Sequence, residues 1–220
     1  MNNENRFDYN KIICMIGLII IGSLGRYILV NYSLQPFPNF EVIMVLTFLA
    51  AVFLKPTFAI IVPISSMILS DLLIGNTIYA GNQMYKIVLF TYSGFAMIST
   101  LSYFKRDKYI NRLAQIKLKS IGLAAGLGIG FALLYDVWTN LGWWYLIYPH
   151  NLSSLALVFT AGIPFMVYHM LSGALTFIVI ALPILTYISN KTDIQLPIKI
   201  DNKHKFGAFV ITIALILLSL

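Results

Sequence analysis

Apolar stretches of fifteen residues or more follow one another along almost the whole chain, separated by short polar connections. A run of about 20 apolar residues, wound as a helix, crosses the hydrocarbon core of a bilayer. Repeated runs of that length leave an all-α integral membrane protein as the one fold class that can bury them. Composition agrees. Of 220 residues, 59% are hydrophobic and 10% are charged, where a soluble domain carries about 25% charged residues to cover its surface. A soluble enzyme, a disordered tail and a nucleic-acid-binding domain are excluded.

Six or seven spans are expected. The first covers about 11–30, after a polar cytoplasmic tail at 1–10. It has no small-residue cleavage site and reads as a retained helix, not a signal peptide. A proline-containing connection, 31–39, leads to a short second span at about 40–54, beginning at Glu41. Lys55-Pro56 turns the chain into a third span, 57–74, because proline suits a helix start. Pro63 is expected to kink that span. The fourth span is 84–104, preceded by a loop with Gly81 and Asn82. The most charged stretch, 105–119, follows. The fifth span is expected at 121–138, with a long aromatic loop at 139–154. The apolar stretch 155–189 is too long for one straight span, and Pro164 is expected to divide it into a short piece and a sixth span at 165–187. The six-helix core thus occupies 11–189. A polar cytoplasmic connector, 190–205, then precedes a C-terminal hydrophobic helix at 206–220. That last run reaches only about 22 Å at 1.5 Å per residue, short of the roughly 30 Å core.

Basic residues orient this order of spans. With the amino end inside, thirteen of the fifteen lysines and arginines fall in cytoplasmic segments, leaving Arg26 and Lys86 outside. Cytoplasmic loops carry such an excess, and one missed helix would scramble it. The net charge of +7 is therefore read as membrane anchoring. It implies no nucleic acid, and these lysines receive no catalytic role. The single cysteine, Cys14, excludes an intramolecular disulfide and any cysteine-based metal site.

The unusual polar residues then gather at the outer helix ends. Arg26 ends the first span, Asp71 the third and Asp136 the fifth. Asn39, Asn140, Trp143 and Tyr148 lie in the outer connections, and His169 falls early in the sixth span. Each has a plain reading. Tryptophans and tyrosines at a boundary form an aromatic belt, Arg26 can snorkel to head groups, Asp71 can sit in interfacial water, and His169 can bond a neighbouring helix. The functional reading is an outward-facing pocket. An ionisable group near hydrocarbon costs at least about 2.5 kcal/mol on insertion scales and so faces a cavity or a partner. Arg26 pairs with either Asp71 or Asp136; the sequence does not choose. Paired-histidine zinc motifs and phosphate-binding glycine loops are absent. A Ser172–His169 protease dyad is disfavoured because both residues share one helix. The chain is expected to be no enzyme, with no cofactor and no metal.

Several cues in order carry a family resemblance: Arg26, then Pro38-Asn39-Phe40, then Ser70-Asp71, then Thr139-Asn140-Leu141-Gly142-Trp143 with Tyr148-Pro149, then Ile163-Pro164-Phe165. Across about 26–187 the chain resembles a family of uncharacterised prokaryotic membrane proteins described as transport proteins. These are similar to the substrate-binding S components of energy-coupling factor (ECF) transporters. The resemblance implies a six-helix S-component-like bundle in the cell membrane that captures a small, vitamin-like molecule at its outer face. It also implies a separate transmembrane coupling subunit with ATPases, contacted through small residues of the first helix, here Gly17, Gly22 and Gly25. Family members often carry an acid after the glycine of the sixth span; here Ala174 follows Gly173. A structural membrane subunit that packs against larger partners and binds no ligand is the alternative.

Overall fold

A computed structural model describes residues 3–40, 42–76 and 86–190, with side chains from residue 9 onward. The connector at 191–205, the hydrophobic run at 206–220, Glu41 and Asn82 lie outside the described residues. Helices α1 (Asn3–Asn31), α2 (Ile43–Phe53), α3 (Pro56–Ile74), α4 (Ile87–Phe104), α5 (Arg106–Arg112), α6 (Leu118–Ile147), α7 (Leu152–Thr176) and α8 (Leu182–Asn190) follow in order. A π-helical turn, Phe177–Ala181, joins α7 to α8, so Leu152–Asn190 runs as one 39-residue helical span. Five of the described helical spans are long and apolar enough to cross a membrane, and α2 is a shorter apolar helix. The protein is an all-α multi-pass membrane protein.

α2 is the axis of the bundle. Every residue from Ile43 to Val52 is buried, as a helix apolar on all sides requires. Phe48 meets Tyr109, Phe131 and Phe177 at ring-centroid distances of 5.6, 6.2 and 5.0 Å. These contacts tie α2 to α5, α6 and the π-helical turn. α3 starts on Pro56 at its first position and ends on Gly75, whose φ of 75° closes the helix in the left-handed conformation, a role glycine fills without steric cost. α6 and the span that follows it cross where Gly128 faces Gly173. A Cβ on Gly128 would come within 2.1 Å of the Gly173 carbonyl oxygen. Two glycines let these backbones touch.

α1 begins at Asn3, and its membrane-length part, Tyr9–Asn31, agrees with the first span. Two expectations need correction. The fifth span does not stop at Trp138. α6 continues to Ile147, and the expected aromatic loop shrinks to a turn at 148–151. The apolar face carries on through Trp143, Trp144 and Tyr145, and Gly142 is no break because it gives way to the Phe90 ring, 2.4 Å from where its Cβ would stand. Pro164 divides nothing. It sits inside α7, consistent with the tolerance of proline where neighbouring groups satisfy the freed carbonyl. The one irregularity comes thirteen residues later, at the π-helical turn.

The alternating course puts the charged stretch around α5 at one end of the bundle. There Thr186 donates to the Leu113 carbonyl at 3.0 Å, tying α8 to the end of α5. The 32–42 connection lies at the opposite end.

Candidate functional site

At that opposite end, a cavity of about 410 Å³ is lined by Arg26 and Val30 of α1, Gln35 and Asn39 of the connection, Met67 of α3, Phe95 of α4, Tyr135 and Asp136 of α6, and His169 of α7. Its volume suits a small molecule. Burial grades along its depth. Val30 and Asn39 are exposed, whereas Phe95, His169 and Met67 are buried. The cavity therefore opens at the end that carries the 32–42 connection.

That connection is pinned across α7. Phe37 stacks on Tyr168 at 6.0 Å, Asn39 Nδ2 donates to the Phe165 carbonyl at 3.4 Å, and Gln35 Nε2 donates to the Phe40 carbonyl at 2.8 Å. Two residues bend it with positive φ, Ser33 at 52° and Asn39 at 60°. Asparagine tolerates that conformation better than most residues.

Two contacts between a basic and an acidic side chain lie at the cavity. Arg26 Nη1 lies 2.6 Å from Asp71 Oδ1 and 2.7 Å from Ser70 Oγ. Asn76 Nδ2 adds a bond to the same carboxylate oxygen at 3.2 Å. The Asp71 side chain is 2% exposed, the Arg26 side chain 21%. The sequence left Arg26 a choice of partners, and Asp71 is the one it takes.

Asp136 takes His169 instead. The contact from Nδ1 to Asp136 Oδ1 is 2.8 Å, with side chains 9% and 13% exposed. Because α6 is longer than expected, Asp136 stands near its middle and not at its end. His169 stands near the middle of the 39-residue span. Tyr135 sets its ring edge-on to the imidazole at 5.4 Å and 88°, and Phe95 packs on Tyr135 at 4.9 Å. Asp136 Oδ2 is buried with no hydrogen-bond partner.

Of the expected site residues, Arg26, Asn39, Asp136 and His169 line the cavity, and Asp71 holds Arg26 from behind. Asn140, Trp143 and Tyr148 are not among the lining residues. Asn140 turns toward α7, against Gly162 and the sulfur of Met166. Trp143 is half-buried. Tyr148 is exposed and ends α6. The neighbouring aromatics fasten the turn between α6 and α7, where Tyr145 stacks on His150 at 5.2 Å and Trp144 Nε1 donates to Ser154 Oγ at 3.1 Å. Sequence reading missed Val30, Gln35, Met67, Phe95 and Tyr135. Only Tyr135, next to Asp136, carried a signal that could have been used.

The glycines of α1 divide. Gly22 packs inside the bundle, where a Cβ would stand 2.7 Å from Ser66 Oγ, and Gly25 packs against Val42. Gly17 alone of the three has open space around it. No group of three or more His, Cys, Asp or Glu is placed to hold a metal ion among the described residues.

Residues 7–196 match a family described as a family of unknown function, DUF6580. The chain belongs to the DUF6580 family. No curated protein and no solved structure matches it. For this DUF6580 chain, the chemistry of the cavity has to carry the functional argument.

Proposed function

We propose that the protein is a membrane-embedded substrate-binding or transport component that takes up a small, vitamin-like nutrient from the outer face of the cell membrane. One observation carries this reading: Arg26, Asn39, Asp136 and His169, contributed by three separated segments and α7, line one cavity. A bundle that only packed against partners would have no need to gather ionisable groups around a hollow, because each costs free energy near hydrocarbon.

Further support comes from the order of spans. The cavity opens opposite the basic stretch around α5, and basic loops face the cytoplasm. The amino end is then cytoplasmic and the 32–42 connection extracellular, where it acts as a lid. Aromatic walls at Tyr135 and Phe95 suit a planar ligand, and the polar groups fix its orientation.

The sequence offers no phosphate-binding loop, so the reading places any ATPase on another chain. A transmembrane coupling subunit with ATPases is the proposed partner. Its contact surface is α1, whose Ile13, Ile16 and Ile20 are exposed beside the open Gly17. The role is binding, not catalysis.

The test is mass spectrometry of small molecules released from protein purified in mild detergent, paired with thermal unfolding against a panel of vitamins. The expected result is one released species of vitamin size, and stabilisation by that species. No released molecule and no stabilised sample would move the assignment to a structural subunit without a ligand.

A further inference from the structure

We infer that the ligand of this cavity carries a cationic nitrogen that sits against Asp136. The inference rests on the cavity being a small-molecule site, and it adds the ligand's charge.

The described contacts set Asp136 apart. Arg26 and Asp71 cancel each other at 2.6 Å, with Ser70 and Asn76 completing that pair. Among the described residues, Asp136 meets the His169 imidazole through Oδ1. Oδ2 of the same carboxylate is buried and has no hydrogen-bond partner. A buried acceptor left unmade is costly, and more so when it is charged.

A ligand ammonium, amidinium or protonated ring nitrogen removes that cost, since it offers the carboxylate a charge-assisted N–H. The walls favour the same chemistry. Tyr135 and Phe95 both line the cavity, and aromatic faces attract cations. An anionic ligand meets the reverse situation: the one arginine is already neutralised by Asp71, and the Asp136 charge repels it. That repulsion gives selectivity as well as affinity.

Three matched probes test this: tryptamine, which is cationic; 3-ethylindole, its neutral counterpart; and indole-3-propionate, which is anionic. Binding to the purified full chain is measured by titration calorimetry at about pH 8, where an alkyl ammonium is charged. Tryptamine is expected to bind at least about tenfold more tightly than either of the others, a difference typical of one desolvated charge contact. Asp136→Asn brings tryptamine to within about threefold of 3-ethylindole by the same reasoning. Trp144→Phe, at the α6–α7 turn, keeps the full preference. Should Asp136→Asn fail to fold, the order of the three probes on the unaltered chain decides the matter. Equal binding by all three, tightest binding by indole-3-propionate, or a preference that survives Asp136→Asn overturns the inference and leaves the cavity a binding site. No binding by any probe overturns it too, and with no co-purified molecule it also removes the reading beneath it.

Discussion

Arg26–Asp71 and Asp136–His169 are alike on paper, each a contact under 3 Å between a basic and an acidic side chain at the same cavity. Their surroundings differ. Asp71 lies near the end of α3, is almost fully buried, and is met by Arg26 and Asn76, while Ser70 shares the Arg26 Nη1. Asp136 lies mid-helix, with one oxygen bonded and the other without a partner among the described residues. The first pair closes on itself and pins α1 to α3. The second leaves Oδ2 without a hydrogen-bond partner among the described residues. Pairing alone therefore says little; the count of unmet bonds separates the two.

The largest expected effect separates the two pairs physically. Gly128→Val drives a side chain into the Gly173 backbone and forces α6 away from α7, which carry Asp136 and His169. A clash with rigid backbone has no soft neighbour to yield, so a loss of about 4 kcal/mol or more is expected. Thermal unfolding in detergent should register collapse of the cooperative transition. A transition within a few degrees of the unaltered protein would mean that the glycine contact is not holding the two helices.

Next comes the contrast between the two aspartates. Asp71→Asn strips the charge from a closed pair and strands Arg26. Breaking a buried pair costs about 3–5 kcal/mol, and the partial exposure of Arg26 puts the expected loss near the lower figure. Asp136→Asn keeps an acceptor for His169 and removes a charge that nothing fully met. Its effect on stability without ligand is expected to stay within about 1 kcal/mol. Chemical or thermal unfolding of the two variants side by side reads this directly. Equal losses would erase the distinction drawn between the pairs.

A smaller effect is expected in the connection between α1 and α2. Phe37→Ala removes the ring stacked on Tyr168, worth about 0.5–1.5 kcal/mol beyond its buried area. Hydrogen exchange at 32–42 should speed up by roughly the matching factor, several-fold to about tenfold, while α2 stays protected. Unchanged exchange in the connection would show that Phe37 does not hold it down.

The length of the apolar runs was enough to find the membrane helices and their order, because it acts along the chain. The Lys55-Pro56 turn, the burial of the second span and the end of α3 at Gly75 all follow from local chemistry. Pairing across the bundle did not. Arg26 could reach Asp71 or Asp136 in any scheme that fixed only helix order; the choice depends on how each helix is rotated about its axis. The two misplaced boundaries share a cause. The polar and aromatic residues after Trp138 read as a loop and Pro164 as a break by local rule, but α6 runs on to Ile147, and Pro164 is absorbed within a long helix. Met67, Phe95 and Val30 looked like ordinary core residues because a cavity wall and a packed core use the same apolar side chains.

The sidedness of the cavity decides the account most directly. Single cysteines at Asn39 and at Lys108, each with Cys14→Ser, are probed in intact cells with a membrane-impermeant thiol reagent. Asn39 stands at the exposed rim of the cavity and Lys108 is exposed on α5. The account expects Asn39→Cys to label in intact cells and Lys108→Cys to label only after permeabilisation. The reverse pattern would turn the cavity toward the cytosol and contradict uptake from outside.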